Sequence, residues 1–452
     1  IYTPRTLFPY TTLFRSAIRN LEDLDEDLAE ETKEDLEDIS DELEDNCLAK
    51  IVKDINIDSQ NYGEEKIREA LAYIAENYQF EKNIIRHRRE EIQDEIPKRV
   101  LKELSYEMKG GEESFYEYNT YEKVFEYAEY LLNNTNCKEK TSKYVIKLVN
   151  SMFSSPWALE SLLKKRCEFL ENRTIIAKNS IETELQYIIE YAPKLTYELT
   201  YISEIEEVLL KWKEASQLEI DSIVELIDDP NNLKGRFGII ADYIDQELYD
   251  KKIVIFTAYP ETLIKLKDIL TNLFNEKTIA IFSVLSNREE LEREVQRFQN
   301  DDQCKIMICD ESGGEGRNFQ IADSIIHFDI PFSPTILEQR IGRLDRIGRD
   351  KTKLVENLVL ISENTLESDL FSLWNEGLNI FTESLSGLEI ALDSINSFIV
   401  KSMGEDLKYG LNEALGEIKE NLKSIREAVK EERYYDMSRR SEEHTSELQS
   451  PV

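Results

Sequence analysis

Three histidines and five cysteines in 452 residues leave little material for a metal centre. Cys47, Cys137, Cys167, Cys304 and Cys309 are scattered without zinc-type spacing. Cys304 and Cys309 bracket an apolar strand as buried thiols, which fits a reducing, cytoplasmic setting. No apolar run approaches the roughly 18 residues of a membrane helix, so this stretch of chain shows no membrane anchor. Positive charge is also short. The net charge of −36 argues at first against nucleic acid, because phosphate contacts draw on Lys and Arg. There is no GxxxxGK[ST] loop to cradle phosphates and no strand-borne DExH pair to hold magnesium and water.

What is present is unevenly spread. Residues 21–45 form a nearly solid acidic block in which Leu21, Leu24, Leu28, Leu36, Ile39 and Leu43 recur at helical spacing. The block therefore reads as amphipathic helices with charged outer faces: a connector or solvated face rather than a DNA-mimicking tail. Basic residues cluster at Arg86, Arg88 and Arg89, at Lys164, Lys165 and Arg166, and at Arg340, Arg343, Arg346, Arg349, Lys351 and Lys353. A hydrophobic fraction of 41% supports two or three domains with real cores. The ends stand apart: Thr6 to Ser16 (TLFPYTTLFRS) and Arg440 to Ser450 (RSEEHTSELQS) resemble in-frame translations of short-read sequencing adapters. The expected divisions are an adapter-derived stretch at 1–16, an acidic helical segment at 17–46, a connector at 47–120 and a helical insertion at 121–232. They continue with a lobe at 233–362, a helical tail at 363–439 and a second adapter-derived stretch at 440–452.

Residues 121–226 read as long helices broken at Ser154-Ser155-Pro156 and Ala192-Pro193, and residues 228–232 (DDPNN) read as a linker. Pro97 is a break before Arg99 to Leu104, in a connector that mixes helix with short extended segments. The grammar then changes. Strands are predicted at Ile253–Thr257, Ile279–Phe282, Lys305–Cys309, Ser324–Phe328 and Leu354–Ile361, with helices at Glu261–Phe274 and Arg288–Phe298, and helix again over Leu366–Phe381. Short apolar strands separated by helices specify an α/β fold, a parallel sheet covered on both faces. Ligands of such sheets bind beyond the carboxyl ends of the strands, where Asp310 to Phe319 would fall. Gly313, Gly314 and Gly316 there permit positive φ and close backbone approach, although alone they would mark no more than a tight turn.

The stretch Gln339-Arg340-Ile341-Gly342-Arg343-Leu344-Asp345-Arg346 is more specific. Gln339, Arg343 and Arg346 lie three to four residues apart, so a continuous helix would project all three from one face. An arginine aimed at a γ-phosphate stabilises transition-state charge, an effect worth roughly 10³–10⁵ in rate in other nucleotide hydrolases. Lysine lacks the planar fork for it. The plain alternative is a solvated basic face paired with Asp345 and Asp350.

With these residues in view, VIFTAYPET (Val254–Thr262), ESGGEGRNFQ (Glu311–Gln320), FDIPFSP (Phe328–Pro334) and QRIGRLDRIGR (Gln339–Arg349) resemble the motifs of the second RecA-like lobe of superfamily 2 helicase-type ATPases. Within that superfamily they are similar to the Swi/Snf branch and to bacterial RapA-like proteins, the RNA polymerase recycling ATPases. IIRHRR with PKR (Ile84–Arg99), SSPWAL (Ser154–Leu159) and LWNEGLNIF (Leu373–Phe381) resemble connecting and tail segments of the same group. Arg349 departs from it, standing where Swi/Snf ATPases commonly have Gln.

The resemblance implies a RecA-like parallel sheet with helices on both faces, preceded by a long α-helical insertion and followed by a helical tail. It makes Arg346 the arginine finger and Arg343 its neighbour at the phosphates, with Gln339, Gly314 and Gly316 at the nucleotide. Gly314, Gly316 and Asn318 would couple nucleotide state to grip on a strand, and Thr257 and Ala258 would lie near that strand's backbone. ATP is the implied cofactor, with Mg²⁺ held by a first lobe that would lie upstream of Ala17, so the chain alone is expected to be inactive. The parent is expected to be a cytoplasmic ATP-dependent double-stranded DNA translocase that remodels protein–DNA complexes, with RNA polymerase the first candidate partner and no membrane. Two alternatives stand beside it: a strand-separating or phage-defence helicase, and a non-catalytic docking scaffold.

Overall fold

The computed structural model describes residues 26–42, 46–55, 66, 67, 70, 71 and 98–420, the last span apart from 109–113, 174–176, 178–179, 230–234, 312–318, 346–353 and 386–388. The predicted adapter-derived ends and the DDPNN linker from Pro230 onward lie outside these residues. The chain divides into two compact units, Ile1–His87 and Arg88–Val452, a boundary that falls inside the expected connector.

In the first unit, α1 (Glu26–Glu42) is followed by α2 (Asn46–Lys53). Leu36 and Ile39 of the acidic block are fully buried, as are Leu48 of α2 and Ile67, so its charges do form an outer face. Lys33 Nζ reaches the Ile55 carbonyl at 3.2 Å, a cation set at the end of α2 where carbonyls lack helical partners.

The second unit is built on six parallel strands. β1 is Arg99–Tyr106, β2 Ile253–Phe256, β3 Ile279–Phe282, β4 Ile306–Cys309, β5 Ser324–His327 and β6 Val355–Ser362. Their order across the sheet is β1-β6-β5-β2-β4-β3. The sequences IVIF, IMIC and SIIH are buried at every position, as strands covered on both faces must be. Alternate residues go to opposite sides. Ile253, Ile255, Ile306, Ile308, Ile326 and Phe328 join the large core that also holds the helical region. Val254, Phe256, Met307, Cys309 and Ile325 pack against Val295 and Phe298 on the other face.

Strand boundaries predicted for β2 to β6 agree to within a residue at each end, whereas β1 is a finding of the structure. It pairs in parallel with β6 along its whole length, from Arg99 opposite Val355 to Tyr106 opposite Ser362. Its half-exposed sequence RVLKELSY suits a sheet edge, where charged side chains discourage pairing with another chain.

Between β1 and β2 run α3 (Ser114–Asn134), α4 (Lys138–Ser154), α5 (Pro156–Leu170), α6 (Ser180–Tyr191), α7 (Glu198–Asp221), α8 (Ile223–Ile227) and α9 (Arg236–Glu247). The predicted break at Ser154-Ser155-Pro156 is a helix junction: Ser155 is extended, its hydroxyl accepts from the Ala158 amide at 3.1 Å, and Pro156 opens α5 where no amide is needed. Arg166, one of the basic residues expected on a charged cluster, is fully buried instead. It is clamped by both oxygens of Glu198 at 2.9 and 2.8 Å and by the carbonyls of Ile189, Ala192 and Pro193.

α10 (Pro260–Leu273) and α11 (Arg288–Asn300) flank β3, α12 (Pro334–Ile341) follows β5, and α13 (Leu366–Ser372) and α14 (Glu389–Glu405) follow β6. The continuous helix expected over Leu366–Phe381 stops at Ser372, after which Leu373–Gly377 form a π-helical turn. The wider turn places the fully buried Trp374 so that its indole N–H donates to the Pro331 carbonyl at 3.0 Å. Among the described residues no helix is long and apolar enough to cross a membrane.

Candidate functional site

β2 sends the chain towards β3 on one side of the sheet, and β5 sends it towards β6 on the other. Connections therefore diverge between these neighbours, the place where parallel sheets open a ligand crevice. Asp329, just beyond β5, spans that point. Its fully buried carboxylate accepts from Thr257 Oγ at 2.5 Å, from the Ala258 amide at 2.8 Å and from Ser154 Oγ at 2.7 Å. Ser154 ends α4, and its hydroxyl and that of Ser155 each lie 2.7 Å from Thr262 Oγ at the start of α10. One carboxylate thus ties the helical region to the turn after β2. The expectation put Thr257 and Ala258 at a bound strand's backbone. In the structure the Thr257 hydroxyl is turned inward and fully buried, so this pair shapes the turn rather than presenting a side chain.

Beyond β4, Asp310 is also fully buried and accepts from Ser283 Oγ at 2.6 Å and the Val284 amide at 2.8 Å, fixing the turn after β3. Gly314, Gly316 and Asn318 lie in 312–318, outside the described residues.

α12 starts beside Asp329 and, as a crossover helix must, returns the chain to the amino edge where β6 begins. Arg340, in the last turn of α12, is fully buried; it donates to the Asp329 carbonyl at 2.9 Å and lies 3.4 Å from Asp329 Oδ1. The expectation of Gln339, Arg343 and Arg346 on one continuous helical face is corrected here. The helix ends at Ile341, and Gly342 caps a tighter turn in which the Arg343 and Leu344 amides reach carbonyls three residues back. A turn of three residues instead of 3.6 rotates the side chains beyond it. Gln339 is exposed, Arg343 is only 8% exposed, and Arg346 lies outside the described residues. Nor does Arg343 sit beyond the carboxyl ends. Its carbonyl accepts from the Phe319 amide at 3.1 Å, on the approach to the amino end of β5.

That same turn holds a contact the sequence did not reveal. Arg99, the first residue of β1 and 7% exposed, donates to both oxygens of Glu338 at 2.9 Å and to Asp345 Oδ2 at 2.7 Å. It also donates to the carbonyls of Ile380 and Glu383, both at 2.9 Å. Burial alone would depress the guanidinium, and the two carboxylates more than offset it, raising Arg99 above its usual range. The segment PKR was visible as a motif, but its partners lie too far along the chain to read from spacing.

A second buried network joins β1 to α3, α9 and α13. Tyr106 Oη donates to Glu117 at 2.7 Å; Arg236 donates to Glu367 and, at 2.6 Å, to the Phe328 carbonyl. Desolvation pushes Glu117 up to about 7, against the opposing pull of Arg236 and Tyr106. Among the described residues no group of three or more His, Cys, Asp or Glu could hold a metal ion.

A parallel sheet with helices on both faces, carrying a glycine-rich loop and an arginine-bearing turn, defines a RecA-like lobe of the helicase type. Residues 235–348 match the helicase conserved C-terminal domain. The chain is related to the Swi/Snf-type, helicase-like RapA proteins. It is 30% identical over 196 residues to the RNA polymerase-associated protein RapA of Vibrio vulnificus strain YJ016, and 38% identical over 133 residues to that of Pectobacterium carotovorum. Those matches cover 43% and 29% of this chain but only 20% and 13% of the two relatives. Among solved structures it is similar to the C-terminal part of the Fun30 ATPase domain, with a TM-score of 0.39 and 16% identity over 70% of this chain and 99% of that one. It is also similar to the Sulfolobus solfataricus SWI2/SNF2 ATPase core in complex with dsDNA, with a TM-score of 0.39 and 14% identity over 77% and 56%.

Proposed function

We propose that the chain is the second motor lobe of an ATP-driven translocase on double-stranded DNA, one that remodels a protein bound to the duplex, RNA polymerase first among candidates. The observation that carries this is the match of residues 235–348 to the helicase conserved C-terminal domain, with the glycine-rich stretch and QRIGRLDRIG (Gln339–Gly348) both inside it. The RapA relatives, named for association with RNA polymerase, support the choice of partner.

Arg346 acts as the arginine finger and Arg343 supports it, their fixed cations stabilising charge that develops on the transferred phosphoryl group. Gln339, exposed on α12, and the backbone around Gly314 and Gly316 complete the nucleotide side. Asn318 and the turn at Thr257 and Ala258 form the strand side. ATP supplies the phosphoryl chemistry when bound. Its phosphate loop and magnesium ligands are assigned to a first lobe, since neither GxxxxGK[ST] nor a strand-borne DExH pair occurs in this sequence.

Phosphate release measured with and without duplex DNA tests this reading. The full gene product should hydrolyse ATP faster with DNA. Arg346→Ala should lower that rate by roughly 10³-fold or more. The purified 452-residue chain should release none. A full gene product indifferent to both ATP and DNA would exclude the motor and leave a docking role.

A further inference from the structure

We propose that Arg99 is the positioning residue for the arginine-bearing turn, setting the hydrolysis rate without itself touching nucleotide; the inference rests on the motor reading above. Three segments distant in sequence converge on this one side chain. β1 supplies it, α12 and its following turn supply Glu338 and Asp345, and the tail supplies the carbonyls of Ile380 and Glu383. Asp345 stands between Arg343 and Arg346, so the guanidinium grips the chain from within the catalytic motif.

The geometry is that of a clamp. Both Glu338 oxygens meet the two arms of the fork at 2.9 Å, while Nε takes Asp345 at 2.7 Å. Ser384 Oγ, from the tail, donates to the same Glu338 at 2.9 Å. Arg340, two residues beyond Glu338 in the last turn of α12, donates to the Asp329 carbonyl, so that turn is held by two buried arginines. Such holding matters because a catalytic cation displaced by about 1 Å can lose on the order of 10²-fold in rate. A bidentate fork limits rotation as well as distance, which a lysine ammonium at the same place cannot do.

The test is made on the full gene product with DNA-stimulated ATP hydrolysis. Arg99→Lys keeps the charge and loses the fork. It should lower kcat about 10- to 100-fold while KM for ATP moves by less than about threefold. Arg166→Lys is the control, since it breaks the equally buried fork on Glu198, in the helical region. It should lower Tm comparably and leave kcat of the folded protein unchanged. Asp345→Asn combined with Arg99→Lys should be no slower than the worse single variant, because both loosen one clamp.

Unchanged kcat in Arg99→Lys, or an equal loss in Arg166→Lys, overturns the proposal. Should Arg99→Lys fail to fold, Glu338→Gln weakens the same clamp and is judged by the same kcat and KM pattern. Full activity in Arg346→Ala would instead sink the motor reading and this inference with it. An inactive Arg346→Ala beside a fully active Arg99→Lys sinks this inference alone.

Discussion

Among the described residues the buried Arg99, Arg166, Arg236 and Arg340 are each paired with a carboxylate, and the buried titratable groups respond differently to pH and to mutation. Glu117 titrates near 4.5 when unfolded and is pushed up to about 7 in the fold. The folded protein thus holds the extra proton. Its contribution is complete below about 4.5 and is lost as pH rises through about 7. Denaturation measured at pH 5 and pH 8 should show wild type losing on the order of 3 kcal/mol more than Glu117→Gln. His327 runs the other way. Burial, with Arg340 adding repulsion, lowers it from 6.5 to about 3, so its contribution is present above about 6.5 and fades as the solution is acidified. His327→Leu should flatten the acid limb of the stability profile and leave the limb above neutrality alone. Arg166 and Glu198 carry a simpler expectation: Glu198→Gln strands a buried guanidinium, and chemical denaturation should read a loss of about 3–5 kcal/mol. A loss under about 1 kcal/mol would mean that the five-bonded arginine finds water.

Among the elements, β1 is the piece that sequence did not deliver. β2 to β4 are unbroken apolar runs between turns and β5 centres on Ile325-Ile326, and such runs announce buried parallel strands within a residue of their ends. β1 mixes charged and apolar residues without a clear period, and its partner among the described residues begins at Val355. Nothing local to Arg99–Tyr106 says which strand it joins. The candidate site divides in the same way. The glycines, Gln339 and Arg343 could be picked out because their spacing is local. Asp329, Arg340 and Arg99 could not, because their roles exist only through partners in other segments. Gly342 also defeated a 3.6-residue count by ending α12 one residue before Arg343. Lys102→Pro should break the ladder of β1 against β6: the Lys98 and Tyr106 carbonyls accept from the Val355 and Glu363 amides, so the even-numbered amides of β1 face β6, and proline cannot donate one. Hydrogen exchange should then show lost protection in both strands while β2 to β4 stay protected; loss across the whole sheet would show that β1 is integral to the central core.

For the whole molecule, one hydrophobic core runs from the helices between β1 and β2 into one face of the sheet. The helical region expected as an insertion is therefore packed into the lobe, and Ser154 reaches through to the Asp329 turn. Force or rotation applied to those helices would be felt at the divergence between β2 and β5, where a strand-tracking turn is proposed. Net charge bears on the same scale: with −36 overall, attraction to a duplex must come from local groups. Raising salt should weaken duplex binding by the full gene product with a shallow slope, measured by titration at several ionic strengths. A slope as steep as that of a broadly basic DNA-binding protein would indicate many phosphate contacts outside this chain.

The pairing of Arg99 with Val355 sets an order of events during synthesis. A ribosome releases β1 early and its partner only near the end of the sheet, with all of α3 to α12 emerging in between. Until then the strand has unpaired backbone, and Arg99 lacks the Ile380 and Glu383 carbonyls that complete its clamp. The clamp on the arginine-bearing turn can close only after β6 and the tail behind it have left the exit tunnel. A nascent chain stalled before Val355 is therefore exposed to proteases and chaperones at the edge that the finished protein uses to hold its motif in place.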